Sequence, residues 1–210
     1  MHPQPSLQEL VEAREAFEAN EPRDLFYRAA TELIALARQG LTSLSLAESL
    51  AVLLQTWNKS YYRFHRFDGQ HFRDIERILA EYQDVLERLS AHTIEDIDPT
   101  SEVSIKALFT AFESALGPVG AAKCLHLLVP RLFPLWDRAI ARVYRLPLGI
   151  VGTNAVRYWK FMRIAQDQCE SLRKEGDLDK NPLKSIDEYN YCMFTNAWTQ
   201  PKSIIPPLGT

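Results

Sequence analysis

The residues best suited to chemistry in this chain of 210 residues surround one carboxylate, Asp137, in the segment RLFPLWDRAIARV (131–143). The carboxylate follows a loop that contains two prolines and two large aromatic side chains. Four basic side chains flank it, namely Arg131, Arg138, Arg142 and Arg145. A carboxylate among arginines can be half of a salt bridge, the N-cap of the following helix, or a catalytic acid or base in a site that holds an anion. The sequence around Asp137 alone does not choose among these roles.

A glycine-containing turn lies shortly before this carboxylate. The segment SALGPVGAAKCLHLL (114–128) predicts a helix, a tight turn with Gly117 and Gly120, and a second helix. Glycine permits positive φ in such a turn and lets other groups approach the backbone closely. The second helix presents free N–H groups and the positive end of its dipole, which together suit a phosphate. The alternative is a purely structural turn of the kind that many helical proteins contain.

Hydrophobic residues recur with helical spacing along almost the whole chain. Ser6 and Glu9 form a capping box, which predicts a helix from there to about Ala19. Further helices are predicted at 21–40, 43–58, 68–89, 103–116, 121–129, 153–176 and 185–198. The second of these is the most hydrophobic and is expected in the core, while the third is predicted to be one long amphipathic helix. No run alternates as a strand would, so the predicted fold class is all-α.

Charge is distributed unevenly along the chain. Residues 121–174 carry ten Lys and Arg against three acidic residues, which gives +7. Because the net charge of the chain is −3, the remainder carries −10. Such asymmetry is typical of a protein with one side facing a polyanion. A solvated basic face on a helix would give the same count, so charge alone leaves both interpretations open.

Composition argues against several kinds of site. Cys124, Cys169 and Cys192 are too few and too widely spaced for a disulfide framework, a zinc site or a four-thiolate iron–sulfur cluster. We therefore expect buried, inert thiols and neither a metal nor a cofactor. No stretch approaches the ~20 apolar residues that cross a bilayer, and the N-terminus lacks the features of a signal peptide. We expect a cytoplasmic monomer without a membrane partner.

The order of these motifs resembles the helix-hairpin-helix superfamily of DNA glycosylases, in which a glycine hairpin, a short helix and a Gly/Pro-rich loop lead to a catalytic aspartate. The segment FPLWDRAIARV (133–143) looks most like the adenine-glycosylase branch, in which a Phe-Pro pair precedes the aspartate and an Arg-Val follows it. Upstream, SLAVLLQTWN (49–58) and YYRF (61–64) resemble the early family helix that ends at the target base and its aromatic continuation. The resemblance spans roughly residues 44–146.

The resemblance implies two helical lobes with a cleft between them and DNA as the partner. One lobe is expected to contain residues 40–128 with the helix-hairpin-helix element. The other would combine residues 1–39 and 129–210 and carry Asp137 at the cleft. The DNA backbone would be held by the turn and by basic side chains, namely Gly117, Val119, Gly120, Lys123, Arg131, Arg138 and Arg142. The target base would be enclosed by amides and aromatic rings, namely Gln55, Trp57, Asn58, Tyr61, Tyr62 and Trp136.

The chain departs from the family at the lysine of those members that also cleave the DNA strand. If Gly120 matches the last hairpin glycine, that lysine belongs at the position of Ala122. Lys123 is one residue later and would point about 100° away around the helix. We therefore interpret Lys123 as a phosphate contact rather than a nucleophile. The fourth cysteine of the cluster-bearing members is also missing.

The implied function is that of a monofunctional DNA glycosylase, which removes a damaged or modified base by hydrolysis of its N-glycosidic bond. Breaking this bond develops positive charge on the deoxyribose, which the fixed carboxylate of Asp137 would stabilise while it activates a water. Structural roles stay open for Trp57, Tyr61 and Trp136 in the core and for Gln55 on the surface. The alternative functions are a non-catalytic helix-hairpin-helix protein that binds nucleic acid or regulates, and a helical adaptor for a protein partner.

Overall fold

The computed structural model of the protein describes residues 2–21, 24–176 and 181–199, and these residues form helices and connecting turns without a strand. The all-α prediction is thus confirmed for this part of the chain. The helices are α1 (Leu7–Asn20), α2 (Leu25–Arg38), α3 (Leu46–Trp57), α4 (Lys59–Tyr62), α5 (Gly69–Glu81), α6 (Gln83–Ser90), α7 (Glu102–Leu128), α8 (Arg138–Val143), α9 (Asn154–Glu175) and α10 (Pro182–Asn190). Short 3₁₀ turns precede α7, and a π-helical turn, Tyr191–Thr195, follows α10.

Side-chain caps explain where several of these helices begin. At the start of α1, Ser6 and Glu9 make the predicted reciprocal capping box, which satisfies two backbone N–H groups that the helix itself leaves unpaired. Ser45 and Glu48 make a second capping box at the start of α3. Asp68 accepts hydrogen bonds from the first backbone N–H groups of α5. These starts are therefore encoded locally in the sequence.

The structure differs from the prediction at 68–89, at 103–129 and at 185–198, where α10 ends at Asn190 and the π-helical turn follows it. The long helix expected at 68–89 is divided into α5 and α6 at Tyr82, whose φ of −109° and ψ of 17° leave the helical region. No glycine or proline marks this break, so the pattern of apolar residues could not reveal it. The two helices expected at 103–116 and 121–129 are one element, α7, with a single non-helical residue at Gly117. Pro118 follows at the first position of the second segment, where its missing N–H costs little.

Packing places α7 at the centre of the molecule, in contact with α2, α3, α4, α5, α6 and α9. The prediction that α3 belongs to the core is confirmed, because Leu50, Ala51 and Leu54 are fully buried. Helix α10 packs on α1, and the π-helical turn contacts α8. All three cysteines are buried with free thiols, as predicted. Within the described ranges, no helix has the length and apolar character needed to span a membrane.

Candidate active site

Two neighbouring cavities share three side chains: Trp57, Lys123 and Asp137. The smaller one, of about 240 Å³, is called here the aromatic cavity after the six rings in its wall. These rings belong to Phe17, Phe26, Tyr27, Trp57, Trp136 and Tyr191. The larger one, of about 650 Å³, runs along the Gly117 break and is called the turn groove. Residues 116–120 line it together with Ser60, Tyr61, Phe64, Arg138 and Arg142.

The aromatic cavity is more enclosed than the turn groove. Trp136 and Ile140, which line only the aromatic cavity, are 1% and 2% exposed. Phe64, which lines only the turn groove, is 85% exposed. The shared residues therefore lie where the more open groove adjoins the more enclosed cavity.

Asp137 is fixed at this junction by helix α8, of which it is the N-cap. Its Oδ1 accepts a hydrogen bond of 2.8 Å from the backbone N–H of Ile140, and its Oδ2 accepts one of 3.5 Å from the hydroxyl of Thr195. No basic side chain among the described residues forms an ion pair with it. Of the structural roles considered for this carboxylate, the N-cap is confirmed. The cap leaves Asp137 on the wall of both cavities.

Lys123 lies inside the site rather than on the outer surface. Its Nζ donates a hydrogen bond of 2.6 Å to the carbonyl oxygen of Trp57 and stands 5.0 Å from the centroid of the Trp57 ring. Burial lowers the pKa of its ammonium group, while the charge of Asp137 acts in the opposite direction. The resemblance placed the strand-cleaving lysine of the family at Ala122, with Lys123 about 100° away around the helix. Ala122, at the expected register, is fully buried in the core, and the next residue along the helix faces the cavities.

The end of α3 and helix α4 hold the Gly117 break in place. Gly117 has a φ of 68°, and a Cβ at this position would lie 3.0 Å from the ring of Tyr61. The hydroxyl of Tyr61 donates a hydrogen bond of 2.7 Å to the carbonyl oxygen of Ala115, and Asn58 donates one of 3.2 Å to that of Leu116. A Cβ on Gly120 would meet Asn58 Nδ2 at 2.7 Å. Both glycines are therefore required by close approach, as the turn motif predicted.

The structure brings most of the predicted site residues together. The shared side chains and Trp136 line the aromatic cavity, and the predicted groups along the turn groove are Asn58, Tyr61, Gly117, Val119, Gly120, Arg138 and Arg142. Three predicted residues line neither cavity. Gln55 and Arg131 are exposed elsewhere, and the hydroxyl of Tyr62 is hydrogen-bonded to His71 at 2.8 Å.

No family model, curated protein or solved structure matches the chain. The comparisons thus leave the helix-hairpin-helix resemblance as a prediction. What the site can do follows from its own residues.

A cluster of charged side chains in the aromatic cavity was not predicted. Lys184 Nζ contacts Asp24 Oδ2 at 2.9 Å and Glu188 Oε1 at 3.3 Å, and it lies over the rings of Phe17 and Tyr27. Asp187, on the same helix, lines the cavity beside it. The spacing of Lys184, Asp187 and Glu188 places all three on one face of α10. The sequence feature that could have revealed this cluster is a charged helix face beside the apolar residues Leu183 and Ile186, which are buried.

Asp187 has the most unusual environment of the carboxyl groups in the aromatic cavity. Burial raises the pKa of its carboxyl to about 7. The ammonium of Lys184 opposes this rise, whereas the negative charge of Asp137 adds to it. Near neutral pH, the cavity therefore contains a carboxyl that exists in both protonated and ionised forms.

Metal ligation is not indicated by the geometry. Among the residues that the structure describes, no group of three or more His, Cys, Asp or Glu side chains is arranged to hold a metal ion. The chemistry available in the aromatic cavity is that of carboxyl groups, the ammonium groups of Lys123 and Lys184, and aromatic rings.

Replacing Gly117 tests whether the turn has to be glycine. Gly117→Ala should lower the free energy of unfolding by about 1–2 kcal/mol for the left-handed backbone and by about 1–3 kcal/mol more for the contact with the Tyr61 ring. Gly40→Ala is the matched control, because Gly40 has a φ of 67° with nothing within 4 Å of the added Cβ. Denaturant unfolding of both variants measures the difference. An equal loss in the two would contradict the role given to Tyr61.

Proposed function

We propose that the protein is a monofunctional DNA glycosylase that excises a damaged or modified base from DNA. The observation that carries this proposal is the position of Asp137, a carboxylate fixed by its cap where the turn groove meets the aromatic cavity. A glycosylase needs such a carboxylate between a surface that holds the DNA backbone and a pocket that holds one base. The order of turn groove, Asp137 and aromatic cavity supports this proposal.

The turn groove suits a DNA backbone. The second segment of α7 begins at the Gly117 break, so its first N–H groups and the positive end of its dipole are available to a phosphate. Arg138 and Arg142 are exposed and line the same groove. In this proposal, residues 114–128 act as the hairpin of a helix-hairpin-helix element.

The aromatic cavity suits a base that has left the duplex. Its walls come from Trp57 and Lys123 and from described residues of three other stretches, namely Phe17, Glu21, Asp24, Phe26 and Tyr27, then Leu135, Trp136, Asp137 and Ile140, and finally Lys184, Asp187 and Tyr191. These stretches correspond to the two predicted lobes, 40–128 on one side and 1–39 with 129–210 on the other, so the cavity would be the cleft between them. A flipped base is held by stacking on aromatic rings and by hydrogen bonds to its edge. Trp57 and Tyr27 supply rings, and the charged cluster of α10 supplies hydrogen-bonding groups.

Asp137 would act on the sugar. The C1′–N bond breaks, the electron pair leaves with the base, and positive charge develops on the deoxyribose ring. The carboxylate stabilises this charge and accepts a proton from the water that adds to C1′. The products are the free base and an abasic site in an otherwise intact strand.

Base release from defined DNAs tests the proposal. The parent protein is incubated with duplexes that each carry one uracil, hypoxanthine, 8-oxoguanine, 7-methylguanine or glucosylated 5-hydroxymethylcytosine, and abasic sites are detected by alkaline cleavage. We expect at least one base to be released. Binding to these duplexes without release of any base would favour the non-catalytic helix-hairpin-helix protein instead.

Salt dependence tests the part given to the turn groove. DNA affinity should fall with salt between about 50 and 200 mM, because each neutralised phosphate adds ~0.9 to the logarithmic slope. Arg138→Ala and Arg142→Ala should each reduce this slope by ~0.9 and weaken binding similarly for different sequences. Arg28→Ala, at an exposed position of α2 away from both cavities, is the control. A salt-independent affinity measured by fluorescence anisotropy would argue for a protein partner.

A second candidate function is a glycosylase that also cleaves the strand. One observation favours it, namely that Lys123 faces both cavities beside Asp137 and that its pKa is lowered by burial. An amine desolvated in this way is an activated nucleophile. Its Nζ would bond to C1′ as the base leaves, and the resulting imine would permit elimination of the 3′ phosphate.

A further inference from the structure

We propose that Asp187 is the acid that protonates the departing base, while Asp137 acts at the sugar. This inference rests on the proposed glycosylase function and adds a second catalytic residue to it. It assigns Asp137 to the sugar side and Asp187 to the base side of the N-glycosidic bond that breaks.

The positions of the two groups relative to the cavities support this division. Asp137 lines both the turn groove and the aromatic cavity, whereas Asp187 lines only the aromatic cavity. A nucleotide whose phosphates lie along the groove places its sugar at the junction and its base in the aromatic cavity. Of the carboxyl groups that line only this cavity, Glu21 is exposed and Asp24 is paired with Lys184, which leaves Asp187 to meet such a base.

The carboxyl oxygens of Asp187 are available for hydrogen bonds to a ligand. Among the described residues, no side chain or backbone group donates a hydrogen bond to its carboxyl group, and no ion pair includes it. Its charged neighbours on α10 are engaged, Lys184 with Asp24 and Glu188 with Arg14. A carboxyl group on a cavity wall without a protein partner is positioned to bond to a ligand.

The groups facing Asp187 keep its proton available at neutral pH. Glu188 on its own helix and Asp137 on α8 disfavour the carboxylate, and Lys123 on α7 and Lys184 favour it. From α2, Asp24 pairs with Lys184, which weakens the effect of that ammonium.

The remaining titratable groups around the cavity do not supply a competing acid. Tyr27 on α2 is hydrogen-bonded to His126 at 2.9 Å, and burial raises the pKa of its phenol. Burial lowers the pKa of His126 to about 4, so this imidazole is neutral near pH 7. Glu21, at the end of α1, is exposed, and Tyr191 is a phenol at the far end of α10. When two carboxyl groups in one site have different environments, one can act as an acid while the other, as a carboxylate, stabilises positive charge.

The reaction balances with these two groups and water. As the C1′–N bond breaks, the electron pair moves into the base and the proton of Asp187 transfers to a ring nitrogen or exocyclic oxygen of the base. Water adds to C1′ and gives its proton to Asp137. Asp187 is left as a carboxylate and Asp137 as an acid, and exchange with solvent restores both.

Asp187→Asn tests the proposal on the panel duplex that the parent protein cleaves fastest. The single-turnover rate should fall by about 10²-fold, in the range of general acid catalysis. In the parent, the rate should decline as the pH rises through about 7, because the protonated carboxyl is the active form. The variant should lack this decline, and Asp187→Glu should restore part of the rate together with the decline. Asp167→Asn, at an exposed position of α9, is the control.

A stability measurement separates a catalytic loss from a folding defect. Because the folded-state pKa of Asp187 lies above its ordinary value, the folded protein loses stability as the pH rises from about 4, the ordinary pKa of an Asp carboxyl, to about 7, and the loss is complete above that pH. Asp187→Asn removes this loss, so it should raise the unfolding temperature relative to the parent more at about pH 8 than at about pH 5.

The outcomes distinguish failure of the proposed glycosylase function from failure of the role proposed for Asp187. If the parent releases no base from any panel duplex, the glycosylase proposal fails and this inference fails with it. If the parent releases a base and Asp187→Asn keeps both the rate and its decline with pH, only the role of Asp187 is overturned. A folded Asp187→Asn protein that has lost rate without any change in the shape of the pH profile would likewise overturn it, since a purely positioning role predicts that result.

Discussion

If the protein is the glycosylase proposed here, we expect Asp137→Asn to lower the single-turnover rate of base release by about 10²–10³-fold and to keep the fold and DNA binding. The expected loss is that of one electrostatic group placed where charge develops in the transition state. Folding is retained because Asn is as good an N-cap as Asp, so its side-chain oxygen can still accept the hydrogen bond from the Ile140 N–H. The measurement is the rate of abasic-site formation at saturating protein.

Two further variants separate the cap from the chemistry. Asp68→Asn makes the same change at another carboxylate N-cap, at the start of α5 and away from both cavities, and should keep the parent rate. Asp137→Ala removes the cap as well and should lower the free energy of unfolding by about 0.5–2 kcal/mol. Full base release by Asp137→Asn would show that the carboxylate is only a cap, which favours the binding protein.

The helices could be predicted where local rules determine them. The capping box of Ser6 and Glu9 fixes the start of α1, and the apolar stripe of α3 predicted its burial. The break at Tyr82 could not be predicted, because it involves neither glycine nor proline and depends on how α5 and α6 pack against α7. The split at Gly117 was predicted as a turn, although helical residues continue directly on both sides.

The residues that line both cavities could be predicted from the order of motifs. The residues around them could not. Gln55 stands two residues before Trp57, which is about 200° around a helix, so the two side chains cannot face the same cavity. The ion pair of Asp24 and Lys184 joins residues far apart in the chain. The packing of α10 on α1 helps to bring that cluster into the aromatic cavity.

Lys123→Met distinguishes the two candidate functions by an all-or-none readout. Under the hydrolytic mechanism, borohydride traps no covalent complex between the parent protein and its substrate DNA, and the variant retains most of its base release. Methionine keeps the apolar stem of the side chain but leaves the carbonyl oxygen of Trp57 without its donor, so the free energy of unfolding should fall by about 1–3 kcal/mol. Lys160→Met, at an exposed position of α9, is the control for both measurements. A trapped complex that forms with the parent and with Lys160→Met but vanishes with Lys123→Met would make Lys123 the nucleophile and the protein a glycosylase that also cleaves the strand.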